Sequence, residues 1–267
     1  MHPKLSVSAL SSMNLRFDED LELWAQLGVD TVGLFLPKLT AAGVDAAVAR
    51  VIERRLAVSS LAARGFTLCD RASWDADRAA LDAAVDVADA VDAGCLFVTG
   101  GTPGPLAFDE CVVALGDALG PVRDRAAGRG VRVAVEHTNP LRRDVGFVHT
   151  LRDVVDLARR LDIGVCVEVN ACWAERALGT TIRDDVDTFR IVQVSDYAVG
   201  TLSTPNRLVP GDGDIPLERI LGQVLTAGYG GAFDLELIGP RIDEEGYAAA
   251  SRRAIERLGT MLDALGV

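Results

Sequence analysis

Lysine is nearly missing from this chain: of 27 basic residues only Lys4 and Lys38 are lysines, and the others are arginines. Lys4 stands at the start of the first apolar segment, and Lys38 comes in the loop after the second. A Schiff-base enzyme needs a lysine that projects from a central strand into a dry pocket. Neither lysine is placed in that way, so lysine-based covalent catalysis is not expected.

Runs of basic residues and long apolar runs are also missing. The formal charge is −12, and nucleic-acid binding needs cations that neutralise phosphates, so no nucleic-acid partner is expected. No stretch approaches the roughly 20 apolar residues of a membrane span. The opening residues, MHPKLSVSAL, lack the basic and then apolar layout of a signal peptide. We therefore expect a cytoplasmic protein without a membrane partner.

Cysteine is present but unpatterned. The five cysteines are scattered, odd in number and without a CxxC spacing. This usage is typical of reduced core residues rather than of disulfides or a thiolate metal site.

Short apolar segments rich in β-branched residues alternate with longer amphipathic segments along the 267 residues. Continuous apolar strands predict a parallel sheet covered by helices, and eight strand–helix units in about 250 residues favour a closed (β/α)8 barrel. The alternative, an open Rossmann-like sheet, needs a Gly-x-Gly-x-x-Gly turn that SALSSMNLRF does not supply. We therefore predict an α/β protein with a single TIM-barrel domain over residues 1–267. The predicted strands are Leu5–Ala9, Thr31–Phe35, Ala57–Leu61, Cys95–Thr99, Val131–Glu136, Ile163–Glu168, Phe189–Ser195 and Ala232–Leu237, and the last helix is about Glu244–Leu265.

The last four predicted strands each carry a polar residue at or near the C-terminal end. These residues are Glu136, Glu168, Gln193 and Glu236. Chemistry in such barrels takes place at the C-terminal ends of the strands. Carboxylates that meet in a barrel must be paired or bound to metal, because a lone desolvated charge is very costly. Each glutamate by itself could equally cap a loop or pair with an arginine, but the four together predict one divalent ion, and all-oxygen ligation favours Mn²⁺ or Mg²⁺ over Zn²⁺.

The segments VAVEHTNP, VCVEVNACW, VQVSDY, PGDGDIPLERIL and AGYGGAFDLELIG resemble the sugar phosphate isomerase/epimerase superfamily, the xylose isomerase-like TIM barrels. The likeness is strongest from about Val131 onward. The resemblance implies that Glu136 and Glu236 bind metal and shuttle a proton next to a carbonyl. Glu168 stands where the family usually has aspartate, Gln193 where it usually has histidine, and Ala171 where a further histidine is common.

Five further residues are candidates for substrate contact. Arg207 precedes the Gly- and Asp-rich segment PGDGD, and guanidinium groups suit carboxylate, phosphate or hydroxyl oxygens. Asn139 could instead form a turn, Asp196 could form a turn or support its neighbours, and Trp173 could be a packing residue. His137 points away from the interior by strand alternation, unless the loop brings it back. The predicted contact residues are His137, Asn139, Asp196, Arg207 and Trp173.

The resemblance implies a metal-dependent isomerase or epimerase that acts on a sugar, a sugar phosphate or a related polyhydroxy-keto compound. It also suggests that the chain forms a homo-oligomer. A metal-dependent dehydratase of the inosose or 3-dehydroshikimate type uses the same early steps, so it stays open, with cleavage of a C-glycoside ranked below it. Gln193 and Ala171 keep open a non-catalytic barrel with a degenerate metal site. An endonuclease of the abasic-site repair type needs a histidine-rich site, which three histidines do not provide.

Overall fold

Eight parallel strands form a closed barrel in the computed structural model, which describes residues 1–267. The strands pair in sequence order, and β1 closes the barrel against β8 with Leu5 opposite Phe233. The prediction of a single TIM barrel is thereby confirmed for the fold. The strands are β1 Leu5–Ser8, β2 Thr31–Phe35, β3 Ala57–Ala63, β4 Leu96–Thr99, β5 Val133–Glu136, β6 Gly164–Glu168, β7 Phe189–Val194 and β8 Phe233–Leu235.

Helices cover the outside of the barrel. Their apolar faces pack on the outward-facing strand residues to form one buried core of 68 residues. No helix combines the length and the apolar content that crossing a membrane requires. The helices are α1 Phe17–Leu27, α2 Leu36–Ala42, α3 Val44–Glu53, α4 Trp74–Ala90, α5 Phe108–Ala127, α6 Leu151–Leu161, α7 Val169–Cys172, α8 Leu178–Asp185, α9 Leu217–Thr226, α10 Pro240–Glu245 and α11 Tyr247–Ala264.

Helix α6 shows how the sequence sets these elements. The Thr150 side chain caps its N-terminus by accepting a hydrogen bond from the Asp153 amide, and Asp162 ends it in a left-handed conformation. Apolar residues at helical spacing, including Leu151, Val155 and Ala158, are buried, while the charged residues face outward. The periodicity of LRDVVDLARRL therefore predicts both the helix and its buried face.

A second, smaller cluster of seven buried residues includes Ala134, Cys166 and Ile191. Each of these three lies two positions before one of the polar strand-end residues, and side chains two apart in a strand share a face. This cluster therefore fills the barrel interior directly beneath the strand-end polar groups.

Candidate functional site

Three glutamates meet at the C-terminal mouth of the barrel. Glu136 ends β5, Glu168 ends β6, and Glu236 follows β8 by one residue. All three are at most 8 % exposed and line the same cavity. Gln193 on β7 lies directly opposite Glu168 in the strand register and is fully buried. The structure thus brings together the four residues that the sequence analysis grouped.

Arg207 reaches the same place from the loop between β7 and α9. Its Nη1 atom lies 2.6 Å from Oε2 of Glu168 and 2.8 Å from Oε1 of Glu236. Nη1 also donates a hydrogen bond of 3.0 Å to the backbone oxygen of Glu236. The guanidinium therefore bridges two of the three carboxylates, at a position where the sequence analysis expected only a substrate contact.

Gln193 contacts the same carboxylate from the other side. Its Nε2 donates to Oε2 of Glu236, so both oxygens of Glu236 are engaged. The Oε1 atom of Gln193 is buried without a hydrogen-bond partner. An amide beside a carboxylate presents its N–H groups, because two acceptor oxygens would repel each other.

The carboxyl groups have different electrostatic surroundings. Burial raises the pKa of Glu136 well above its ordinary value, and the charges of Glu236 and Glu168 raise it further. Burial also raises the pKa of Glu168, to about 7, although Arg207 opposes that rise. The pKa of Glu236 is raised by burial as well, and Arg207 again counteracts it. Glu136 has no ion-pair partner, so it is the carboxyl that most readily holds a proton.

The loop that carries Arg207 is fastened by Asp196. The Asp196 carboxylate accepts hydrogen bonds from four backbone amides, those of Tyr197, Gly211, Gly213 and Ile215, at 2.8 to 3.1 Å. Asp196 is 1 % exposed and does not line the cavity. The prediction that Asp196 contacts substrate is therefore corrected: its oxygens are occupied by the loop backbone.

Two other predicted contacts also lie outside the cavity. His137 is fully buried, and its Nε2 accepts a hydrogen bond of 3.1 Å from the Glu168 amide. Burial lowers the pKa of His137 to about 3, so its ring is neutral. Trp173 packs against the outer core. His137 therefore positions Glu168, as strand alternation would have it, and Trp173 is a packing residue, so both substrate-contact predictions are corrected.

The cavity in front of the glutamates has a volume of about 610 Å³, and only 9 of its 27 lining residues are hydrophobic. Asn139 lines it while its Oδ1 accepts from the Leu141 amide, so this residue both forms a turn and faces the cavity. Arg64 and Arg142 also line the cavity, and sequence reasoning missed them. Both come shortly after a strand end, in the loops after β3 and β5, and that position was the available signal.

The donor set does not fit a divalent ion as it is arranged. The guanidinium lies against the carboxylate oxygens that such an ion would bind, and Gln193 directs its amide nitrogen rather than its oxygen at Glu236. No group of three or more His, Cys, Asp or Glu side chains has an arrangement that could hold a metal ion. Two of the three carboxylates share one arginine as their ion-pair partner, which is the alternative to a metal that the sequence left open.

Comparison with known proteins identifies relatives. Residues 21–258 match the family model described as the xylose isomerase-like TIM barrel. An inosose isomerase from Halalkalibacterium halodurans is 29 % identical over 134 residues, which are 48 % of this chain and 45 % of that protein. This chain therefore matches less than half the length of that curated relative.

Solved structures share the fold. The IolI protein with a bound zinc atom has a TM-score of 0.82 at 18 % identity, covering 98 % of this chain and 99 % of that one. The 3-keto-D-glucoside 4-epimerase YcjR from E. coli has a TM-score of 0.77 at 17 % identity, with coverage of 96 % and 99 %. Together with the closed barrel and its strand-end glutamates, the family match shows that the chain belongs to the xylose isomerase-like TIM-barrel family.

Proposed function

We propose that this protein is an isomerase or epimerase that moves a proton next to the carbonyl of a polyhydroxylated ketone. The observation that carries this proposal is the meeting of three buried carboxyl groups and one guanidinium at the floor of a polar cavity. Proton transfer at carbon needs a base, an acid and a cation for the oxygen that gains charge. The site supplies each of these groups.

Glu236 and Glu136 take the roles of base and acid. Glu236 is held by donors from Arg207 and Gln193, which favour its ionised form, while unpaired Glu136 favours its protonated form. The Glu236 carboxylate takes the proton from the carbon beside the carbonyl, and the electron pair of the broken C–H bond forms an enediolate. The Glu136 carboxyl then returns a proton. Delivery to the opposite face of the same carbon gives an epimer. Delivery to the former carbonyl carbon gives the isomer when the hydroxyl proton of the first carbon passes to the former carbonyl oxygen, so that the new carbonyl forms on the first carbon.

The walls of the cavity suit a substrate with many hydroxyl groups. Asn139, Thr99, Thr138 and Arg142 line it and offer hydrogen-bonding groups around the glutamates. Arg207 lines it as well, and only its Nη1 atom has partners in the protein, so the N–H groups of Nε and Nη2 are free for substrate oxygens. A sugar or cyclic polyol ketone matches these donors better than an apolar compound does.

The relatives support the same class of reaction. One curated relative is named an inosose isomerase, and structures with the same fold include a 3-keto-D-glucoside 4-epimerase and a D-psicose 3-epimerase. All three names describe the rearrangement of a polyhydroxylated ketone or its derivative. The buried acid groups of this chain lie where such chemistry takes place in a TIM barrel, at the C-terminal ends of the strands.

The test is exchange with solvent deuterium. The protein is incubated in D₂O with an inosose, a ketohexose and a 3-keto-glucoside, and the C–H signals next to each carbonyl are followed by NMR. We expect exchange in at least one compound, and a loss of about 100- to 10,000-fold in rate in Glu136→Gln and in Glu236→Gln. Glu175→Gln is the matched control, since Glu175 is a partly buried carboxyl that does not line the cavity.

Three outcomes would contradict the proposal. Exchange that persists in both glutamate variants would remove their assigned roles. Loss of water from the product, seen by mass spectrometry, would assign a dehydratase instead. No exchange and no product with any compound of the panel, by a folded protein that binds one of them, would favour a non-catalytic barrel.

A further inference from the structure

The buried carboxylates of this barrel need a positive charge, and a bound ion and an arginine are the two candidates for it. Glu136, Glu168 and Glu236 are all buried at one end of the barrel. Anions gathered in that way destabilise the fold unless a cation is held among them. The question is which cation the rest of the site is built to hold.

The position of Arg207 indicates that the cation is its guanidinium. Its Nη1 lies within 2.8 Å of one oxygen from Glu168 and one from Glu236. A divalent ion would approach the same oxygens to about 2.0–2.2 Å. An ion bound between those oxygens would therefore meet the guanidinium, and two cations at such a distance repel each other strongly.

The neighbouring residues agree with this assignment. His137 is fully buried and does not line the cavity, and its Nε2 already accepts a backbone hydrogen bond, so that nitrogen is not available to an ion. Gln193 is turned with its N–H groups toward Glu236 and does not line the cavity. Ala171 lines the cavity with a methyl group, which cannot bind a metal. The groups that these three residues place near the carboxylates are an imidazole nitrogen already accepting a hydrogen bond, an amide nitrogen and a methyl group, and none of them is a metal ligand.

Arg207 is also held in place by the fold. Its backbone amide donates to the Ile238 oxygen at 2.9 Å, and the next residue, Leu208, pairs with Asp196 through two backbone hydrogen bonds of 2.9 Å. Asp196 in turn fastens the following residues of the loop through their amides. A guanidinium that is fixed before the substrate arrives loses little freedom on binding it.

We propose that Arg207 replaces the divalent ion in this barrel, so that the protein is independent of metal. We further infer that Arg207 binds the substrate oxygen that gains negative charge; this second part rests on the proposed function. The ligand class for Arg207 is the enediolate oxygen of a hydroxyketone. A guanidinium offers parallel N–H groups that suit two neighbouring oxygens.

The first measurement uses the wild-type protein without substrate. After dialysis against a chelator and then against trace Mn²⁺ and Zn²⁺, its metal content is measured by inductively coupled plasma mass spectrometry. We expect much less than one ion per chain, and a Tm that neither the chelator nor added Mn²⁺ changes. A wild type that takes up one Mn²⁺ or Zn²⁺ per chain would overturn the proposal.

The second measurement removes the arginine. Arg207→Met keeps an unbranched apolar stem but removes the guanidinium and its charge, and leaves three carboxyl groups and an amide in the site. We expect Mn²⁺ affinity, measured by calorimetry, to rise at least about 100-fold over wild type, because an adjacent positive charge has been removed. Arg142→Met is the matched control: Arg142 lines the same cavity but pairs with Asp144. The Mn²⁺ affinity of this control should rise far less than that of Arg207→Met, because Asp144 offsets the charge of Arg142 and no glutamate pairs with it.

A poorly folded Arg207→Met protein still gives an answer. Mn²⁺ should then raise the Tm of this variant well above the effect seen on wild type, since the ion supplies the missing charge. A variant whose affinity and Tm both ignore Mn²⁺ would overturn the proposal. Neither measurement involves turnover, so their failure is distinct from failure of the deuterium-exchange test.

Discussion

The loop that carries Arg207 should open when Asp196 is changed to asparagine. Asp196 uses Oδ1 for the amides of Tyr197 and Ile215, and Oδ2 for those of Gly211 and Gly213. Asparagine keeps one oxygen and replaces the other by an NH₂ group, which faces two N–H donors whichever way the amide is turned. The substitution therefore removes two of the four hydrogen bonds and adds a repulsion.

The size of the effect follows from those two bonds. A hydrogen bond to a charged group stabilises a protein by about 1.5–3 kcal/mol, so the closed loop loses roughly 3–6 kcal/mol. Hydrogen exchange at the amides that have lost their acceptor should then accelerate roughly 100- to 10,000-fold, up to the limit set by global unfolding. Mass spectrometry of peptides that cover residues 197–215 measures this change.

Asp214→Asn is the control within the same loop. Asp214 accepts one backbone amide, that of Val199, at 2.8 Å, and asparagine can keep an oxygen on that donor. Exchange in this variant should stay close to wild type. If Gly211, Gly213 and Ile215 keep their protection in Asp196→Asn, Asp196 does not fasten the loop and the reasoning fails.

Two further predictions concern stability. Asp234 is buried in β8 without an ion-pair partner, and burial raises its pKa to about 8 from 3.8. Between these two pH values the folded chain keeps a proton that the unfolded chain loses. The free energy of unfolding therefore falls as pH rises from about 4 to about 8. Asp234→Asn should remove this fall and stabilise the protein by up to about 4 kcal/mol at pH 7, and a Tm difference that does not grow with pH would contradict it. Asp185 is nearly buried and pairs with two arginines of α6. Asp185→Asn should lower the free energy of unfolding, measured in urea, by about 2 kcal/mol. Asp184→Asn, which breaks an exposed ion pair, should lower it by less than about 0.5 kcal/mol. Equal costs would refute the role of Asp185.

Much of the fold could be predicted from the sequence because strand and helix periodicities are local. The predicted segment Thr31–Phe35 is β2 as observed, and the other seven strands differ from prediction by at most two residues at each end. The largest shifts at C-terminal ends are of two residues: β3 ends at Ala63 rather than Leu61, and β8 ends at Leu235 rather than Leu237. The convergence of Glu136, Glu168 and Glu236 followed from the same reasoning, since parallel strands of a barrel end at one mouth.

The partner of those glutamates could not be predicted in this way. Arg207 lies in a long connection without periodicity, and its place depends on the Asp196 contacts and on the pairing of Leu208 with β7's end. From the sequence alone, a metal ion and an arginine are equally good partners for these carboxylates. Strand alternation did indicate that His137 points away from the interior, and the structure agrees.

The arginine and the carboxyl groups belong to different parts of the architecture. The glutamates lie at the C-terminal ends of barrel strands. The guanidinium belongs to the loop after β7, which folds back so that Leu208 pairs with Asp196. Exchange of that one connection would therefore remove the guanidinium and leave the three carboxyl groups in place.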